Sequence, residues 1–131
     1  MGCTPPPPLD VIALVASHKE KSDVVVVAGD LNSTPQSAVY KKFINAGLTD
    51  SLVGLKGEDA EDSRYATWGH ASNTWTANEM EDRLDYILYT SSKVQVRTSA
   101  YKTIDAKTEK DGKMISLSDH MWVQANIYIG P

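Results

Sequence analysis

The sequence predicts an α/β fold, because helical and strand patterns alternate along the chain and strand patterns dominate its second half. The first observation is a run of β-branched residues at 24–28, which is typical of a strand buried on both faces. The second is a helical pattern on each side of this run. The third is strict alternation of apolar and polar residues over 121–129, which predicts a half-buried strand.

Residues 1–8 are predicted to be a proline-rich, disordered leader, since the four consecutive prolines that end it favour an extended backbone. Gly2 beside Cys3 suggests lipidation as an alternative. The myristoylation pattern, however, requires Ser or Thr at position 6, where this chain has Pro6. The folded domain is therefore predicted to cover residues 9–131.

Two helices are predicted in the first half of the chain. The first has an apolar face spaced i, i+3, i+4, i+7 at Leu9, Ile12, Ala13 and Ala16. The second should follow the strand at 24–28, with its N-terminus at Ser33-Thr34-Pro35 and an apolar face formed by Val39, Phe43 and Ala46. Beyond residue 65 the alternation predicts strands near 84–89, 94–96 and 121–129, with a loop at 105–113.

Composition limits the function classes. The chain has 131 residues, enough for one domain. It has 13 Lys and Arg against 17 Asp and Glu, a net charge of -4, so composition does not indicate a polybasic surface for nucleic acid or lipid. A phosphodiester substrate is still compatible with this charge if a bound cation supplies positive charge. A single cysteine excludes a multi-cysteine zinc site, and no apolar run is long enough to cross a bilayer.

Three short segments carry candidate chemistry. In Gly29-Asp30-Leu31-Asn32, Asp30 offers an anionic oxygen and Asn32 an amide donor for a phosphate oxygen, at the end of a predicted strand. An extended backbone would point both side chains the same way, although these residue types also favour a plain turn. In Ser118-Asp119-His120, a carboxylate lies beside a group that titrates near neutrality.

The third segment is Arg83-Leu84-Asp85-Tyr86, inside a strong strand pattern. A carboxylate at Asp85 is costly to bury unless it is paired. Two interpretations remain open from the residues alone: a structural ion pair with Arg83, or a contact that orients a histidine ring from a neighbouring strand.

Together, and in their order along the chain (29–32, 83–86 and 118–120), the three segments resemble the second half of the endonuclease/exonuclease/phosphatase (DNase I-like) superfamily, over roughly residues 9–130. The stretch Gly-His-Ala-Ser-Asn-Thr-Trp at 69–75, with Arg-Leu-Asp-Tyr-Ile-Leu-Tyr at 83–89 and Leu-Ser-Asp-His at 117–120, is most similar to the neutral sphingomyelinase branch. The resemblance implies α/β architecture, as the second half of a four-layered α/β/β/α sandwich. It also implies hydrolysis of phosphate esters with Mg²⁺ as the cofactor.

Residue by residue, the resemblance implies that His120 is the general acid or base, oriented by Asp85, and that Asp30 orients or activates the attacking water. Asn32 would bind the phosphoryl oxygen and Asp119 would help to hold the metal ion. These assignments agree with the preference of hard cations for carboxylate oxygens. They also agree with the way in which a carboxylate fixes the tautomer of an imidazole.

Members of the superfamily carry further site residues, a Glu, an Asn and a His, before the Gly-Asp-Leu-Asn strand, and nothing before Val24 supplies them here. We therefore expect a truncated half-domain. The leading functional hypothesis is a neutral sphingomyelinase-like phosphodiesterase that cleaves sphingomyelin to ceramide and phosphocholine, with a sphingolipid substrate and a membrane surface as partners. The alternatives are a nuclease of the same superfamily acting on DNA or RNA, or a catalytically incompetent half-domain.

Overall fold

Two helices, seven strands and one 3₁₀ turn make up the computed structural model of the chain, which describes residues 8–55, 58–59 and 61–130. The predicted leader and the lipidation alternative at Gly2 and Cys3 lie outside the described residues, except that Pro8 already begins the first helix. The elements are, in chain order, α1 Pro8–Lys19, β1 Val25–Asp30, α2 Ala38–Asn45, β2 Thr49–Asp50, the 3₁₀ turn Ser63–Tyr65, β3 Asp85–Thr90, β4 Gln95–Ile104, β5 Lys107–Lys110, β6 Lys113–Ser116 and β7 Trp122–Gly130.

The first sheet is antiparallel and has the order β1–β3–β2, with β3 in the centre. The prediction that the 24–28 strand is buried on both faces is wrong for the described chain. Val25 and Val27 are partly buried against the core, whereas Val26 on the opposite face is 50% exposed. The reason is positional: β1 lies at the edge of its sheet, and the described residues cover only one of its faces.

Both helices cover one face of this sheet. Their shared core consists of Val15, Tyr40, Phe43, Leu48, Tyr86 and Leu88. Helix α1 is rotated relative to the predicted face, because Val11, Ile12 and Val15 pack inward while Leu9 is 62% exposed. The larger valines bury more apolar area than the alanines of the predicted face would.

Helix α2 begins three residues later than Pro35, the expected first helical position. Ser37 is its N-cap, and the Ser37 hydroxyl accepts a hydrogen bond from the Tyr40 N–H. Residues 34–37 form a turn instead, closed by a bond from the Ser37 N–H to the Thr34 carbonyl. The helix ends before Gly47, whose positive φ of 96° is the left-handed conformation that favours glycine after a helix.

The second half of the chain forms a long antiparallel pair, β4 with β7, and a hairpin, β5 with β6. Strand β7 lies where the alternation predicts it. The prediction of a loop at 105–113 is wrong, because most of this stretch is strand β5 and the turn to β6. Asp111 and Gly112 both have positive φ, the backbone of a two-residue hairpin turn.

A buried ion pair lies between β2 and the segment that leads into β3. Two nitrogens of the Arg83 guanidinium lie 2.5 and 2.6 Å from the two carboxylate oxygens of Asp50, and both side chains are almost fully buried. The Tyr40 hydroxyl donates to the same carboxylate at 2.8 Å, and Arg83 also donates to the hydroxyl of Tyr101 on β4. The interpretation of Asp85 as the ion-pair partner of Arg83 is therefore wrong, and Asp85 is left for other contacts.

No helix among the described residues has the length and apolar character to span a bilayer.

Replacing Arg83 by Met should strongly destabilise the protein, because Asp50 would remain charged and buried without its partner. Loss of one member of a buried pair typically costs about 3–5 kcal/mol. We expect a loss of this size in the free energy of unfolding, measured by urea denaturation. The control is Arg64→Met, which removes an exposed ion pair with Glu58 and Asp62 and should leave stability almost unchanged. Equal effects of the two substitutions would contradict the structural role of Arg83.

Candidate active site

Two carboxylates face each other at the end of the first sheet. Asp30, the last residue of β1, is the direct cross-strand partner of Asp85, the first residue of β3. Like charges placed opposite one another in an antiparallel pair are destabilising. The arrangement therefore needs a compensating positive charge, from a protonated imidazole or a cation.

His120 supplies an imidazole at this position. Its Nδ1 lies 2.6 Å from Asp85 Oδ2, and its Nε2 lies 3.9 Å from Asp30 Oδ2. An ionised carboxylate can only accept a hydrogen bond, so the proton of this contact lies on Nδ1. In the neutral ring Nε2 is then left unprotonated, facing Asp30 and able to take up a proton.

The environment favours the protonated form of this ring. Partial burial, the largest single influence, acts to lower the pKa of His120. The hydrogen bond and charge of Asp85 act in the opposite direction, with smaller contributions from the charges of Asp30 and Asp119, and the net result is a raised pKa. His120 therefore keeps its positive charge to a higher pH than an ordinary histidine.

The backbone around Asp85 and His120 is held by the segment between the 3₁₀ turn and β3. Buried Thr67 accepts hydrogen bonds at Oγ1 from the N–H groups of Leu84 and Asp85, and its carbonyl accepts from the N–H of Met121. One threonine thus connects the start of β3 with the residue that follows His120.

Asn73 fixes the other side of the His120 segment. Its side chain is 1% exposed, and its Nδ2 donates to the Ser118 carbonyl at 2.9 Å while Oδ1 accepts from the N–H groups of Trp75 and Thr76. The sequence shows Thr67 and Asn73 only as polar residues in a loop, with no signal for these contacts. The ring of Trp68 then packs edge-on against that of His120, with centroids 5.2 Å apart.

Asn32 lies at the mouth of this site, but not in the predicted way. Its φ is 48°, so the backbone turns sharply rather than staying extended, and its N–H donates to Asp30 Oδ1 at 2.7 Å. The exposed side chain lines a cleft of about 380 Å³ together with Trp68 and His120. Asn32 is thus brought to the site by a turn that begins at Asp30.

Asp119 is separated from the cluster. Among the described residues, Asp30, Asp85 and His120 form a group whose ligand atoms lie within 4.8 Å of one another, and Asp119 does not belong to it. Its side chain is exposed and lines a neighbouring cleft instead. Adjacent residues in this turn face different sides, so the proximity of Asp119 and His120 in sequence does not bring both into one site.

The cluster has the donor chemistry for a hard divalent cation. Asp30 and Asp85 offer carboxylate oxygens, and the Asp30 side chain is 46% exposed, which leaves room for water ligands. Mg²⁺ usually binds proteins through one or two carboxylates and keeps several waters. The residues present therefore fit Mg²⁺, although nothing in the set distinguishes it from a similar cation.

Most of the chain is similar to proteins of one known family. The model of the Endonuclease/Exonuclease/phosphatase family matches residues 4–120. Nocturnin from Homo sapiens is 32% identical over 88 residues, covering 66% of this chain and 19% of the relative. The CCR4-Not complex 3'-5'-exoribonuclease subunit Ccr4 from Emericella nidulans is 34% identical over 83 residues, 53% of this chain and 12% of the relative. The chain thus spans about a fifth or less of the length of these relatives.

A solved structure shows the fold. The endonuclease/exonuclease/phosphatase family protein from Leptotrichia buccalis superposes with a TM-score of 0.59 at 21% identity, covering 89% of this chain and 40% of that one. The predicted α/β fold of the DNase I-like type is therefore confirmed. The matching relatives are nocturnins and Ccr4 subunits, so the predicted similarity to the neutral sphingomyelinase branch is not shown.

Replacing Asp85 by Asn should lower the pKa of His120 in the metal-free protein, because both the charge and the anionic acceptor at Nδ1 are lost. The measurement is an NMR titration of the histidine rings in the presence of a chelator. Asp10→Asn, which removes an exposed carboxylate on α1, should leave the pKa of His120 unchanged. A pKa that stays the same in Asp85→Asn would show that the contact does not form in solution.

Proposed function

The chain belongs to the endonuclease/exonuclease/phosphatase family, and we propose that its Asp30–Asp85–His120 cluster hydrolyses phosphodiester bonds of RNA. The observation that carries this proposal is the cross-strand pairing of Asp30 and Asp85, with the His120 ring bonded to one and facing the other. Two carboxylates and an imidazole in this arrangement can move a proton and position a water at a phosphorus atom.

In this proposal the residues of the cluster move the proton and orient the reacting groups, and the two carboxylates also hold the cation. Asp85 is a positioning residue, because it holds the His120 ring through Nδ1 and leaves Nε2 for proton transfer. His120 takes the proton from the attacking water or gives one to the leaving oxygen. Asp30, 3.9 Å from Nε2, orients the water, and the Asn32 amide donates a hydrogen bond to a phosphoryl oxygen.

Mg²⁺ would be held by Asp30 and Asp85, and it would neutralise charge on the phosphoryl oxygens. We place it on these residues rather than on Asp119, whose carboxylate lies outside the cluster. The chain has a net charge of -4 and two facing carboxylates, which would repel a phosphodiester. A bound cation would reduce this repulsion.

RNA is the proposed substrate because a matched relative, Ccr4, is named as a 3'-5'-exoribonuclease subunit. The comparisons therefore favour the nuclease alternative over the sphingomyelinase interpretation. Sphingomyelin at a membrane surface remains the second candidate, and one observation favours it: Trp68, Trp75, Glu79 and Asp119 line a cleft next to the site. Indole rings and carboxylates attract a quaternary ammonium such as that of choline.

The direct test is hydrolysis of single-stranded RNA and of sphingomyelin vesicles by the purified chain in Mg²⁺. We expect RNA to be cut, and His120→Ala to lower turnover by about 10²–10⁴, the usual contribution of a general acid or base. The control is His18→Ala, an exposed histidine at the end of α1, which should retain the full rate.

Faster hydrolysis of sphingomyelin than of RNA would favour the second candidate. Absence of hydrolysis of both substrates would support the interpretation of the chain as a catalytically incompetent domain. A normal rate in His120→Ala would remove this residue from the mechanism.

Metal binding can be tested without activity. Mg²⁺ should raise the melting temperature of the chain, because it relieves the repulsion between Asp30 and Asp85 and binds only the folded arrangement. Asp30→Asn should abolish most of this increase while raising the melting temperature of the metal-free protein. Asp119→Asn should leave the increase largely intact. A full Mg²⁺ effect in Asp30→Asn would place the cation elsewhere.

A further inference from the structure

A second cleft lies beside the candidate active site. It has a volume of about 650 Å³, and its walls include Trp68, Trp75, Thr76, Glu79 and Asp119. Trp68 also lines the cleft that contains Asn32 and His120, so the two clefts share a wall. A molecule whose phosphate lies at His120 can therefore extend past Trp68 into the second cleft.

Trp75 is exposed and at the same time held in place. Its side chain is 63% exposed, so a face of the ring is open to solvent. Its indole Nε1 donates to the Ser116 carbonyl at 2.8 Å, and its backbone N–H donates to Asn73 Oδ1 at 2.9 Å. The ring is anchored by its edge, so a flat ligand can stack on it without the loss of much side-chain freedom.

The charges of the second cleft determine which part of a phosphodiester it can accept. Glu79 and Asp119 are both exposed carboxylates in its lining, and among the described residues no lysine or arginine lines it. A phosphate group would be repelled there. A neutral, planar group with hydrogen-bond donors would meet an indole surface and two carboxylates there.

We infer that the second cleft is a nucleobase subsite in which a base of the substrate strand stacks on Trp75 while the scissile phosphate lies at His120. This inference rests on the proposed RNA hydrolysis. Every nucleobase has a π-face, so stacking on one indole gives affinity with little sequence preference. The two carboxylates restrict the subsite to the base and keep the phosphate at the cation.

The subsite predicts a specific contribution to binding. Base stacking on an aromatic side chain corresponds to a change in affinity of about 5- to 100-fold. Trp75 should therefore affect binding of strands that carry bases and have no effect on the same backbone without bases.

The test measures dissociation constants in Mg²⁺ for a fluorescent single-stranded RNA and for an abasic oligomer of the same length. A His120→Ala background prevents cleavage during the measurement. Adding Trp75→Ala should weaken RNA binding by about tenfold and leave the abasic oligomer unaffected. Trp75→Phe, which keeps an aromatic face, should retain most of the affinity for RNA.

Trp122 provides the matched control, because it is 51% exposed, lies on β7 and does not line the second cleft. Trp122→Ala should not change RNA binding. Equal weakening of RNA and of the abasic oligomer by Trp75→Ala would overturn the inference, because it would show a general structural effect. Unchanged RNA binding together with weakened binding of phosphocholine would also overturn it, in favour of a choline subsite.

The inference and the proposed function can fail separately. The chain could bind RNA through Trp75 in a base-dependent way without cutting it. This result would count against the proposed hydrolysis but would support the subsite. Hydrolysis of RNA with a Michaelis constant that Trp75→Ala does not raise would count against the subsite alone.

Discussion

The pairing of Asp30 with Asp85 across two neighbouring strands is the constraint on which the site depends. Antiparallel register places the two carboxylates directly opposite each other, where they repel. The imidazole of His120 reduces this repulsion in part, because it is hydrogen-bonded to Asp85 and faces Asp30. The remaining negative charge is what makes a divalent cation a natural occupant. Fold and chemistry are therefore linked, because the sheet register itself creates the demand for positive charge.

The supporting contacts lie just behind this pair. The buried Arg83–Asp50 ion pair joins β2 to the segment just before β3, two residues from Asp85 along the chain. Thr67 and Asn73 hold the backbone on either side of His120 through hydrogen bonds in the interior. Thr67 and Asn73 bond only backbone groups near Asp85 and His120, not the carboxylate or the imidazole itself. They nevertheless determine where the imidazole lies. A site of this kind tolerates little error in position, which explains why so many buried polar groups surround it.

The strand-end residues Asp30, Asp85 and His120 can be predicted from the sequence because each combines a reactive side chain with a clear strand pattern. The residues alone do not predict that these side chains converge, because the convergence depends on pairing between residues 55 positions apart; only the resemblance to the superfamily implied it. Asp50 is the last residue of a strand of only two residues, which is too short to show a periodic pattern, so the sequence does not indicate its pairing with Arg83. The β5–β6 hairpin was missed because its strands are polar and largely exposed, although Asp111-Gly112 is a typical hairpin turn. Asp119 is next to His120 in sequence but lines a different cleft, which sequence adjacency does not reveal.

The central claim is that one divalent cation and one phosphodiester meet at Asp30, Asp85 and His120. Paramagnetic broadening of NMR signals by Mn²⁺ tests it most directly, because the effect reports distance from the bound ion. The account predicts that the first signals to broaden belong to His120 and to the strand ends at 29–31 and 84–86. Broadening centred on the acidic segment at 58–62, with the His120 signals unchanged, would contradict it.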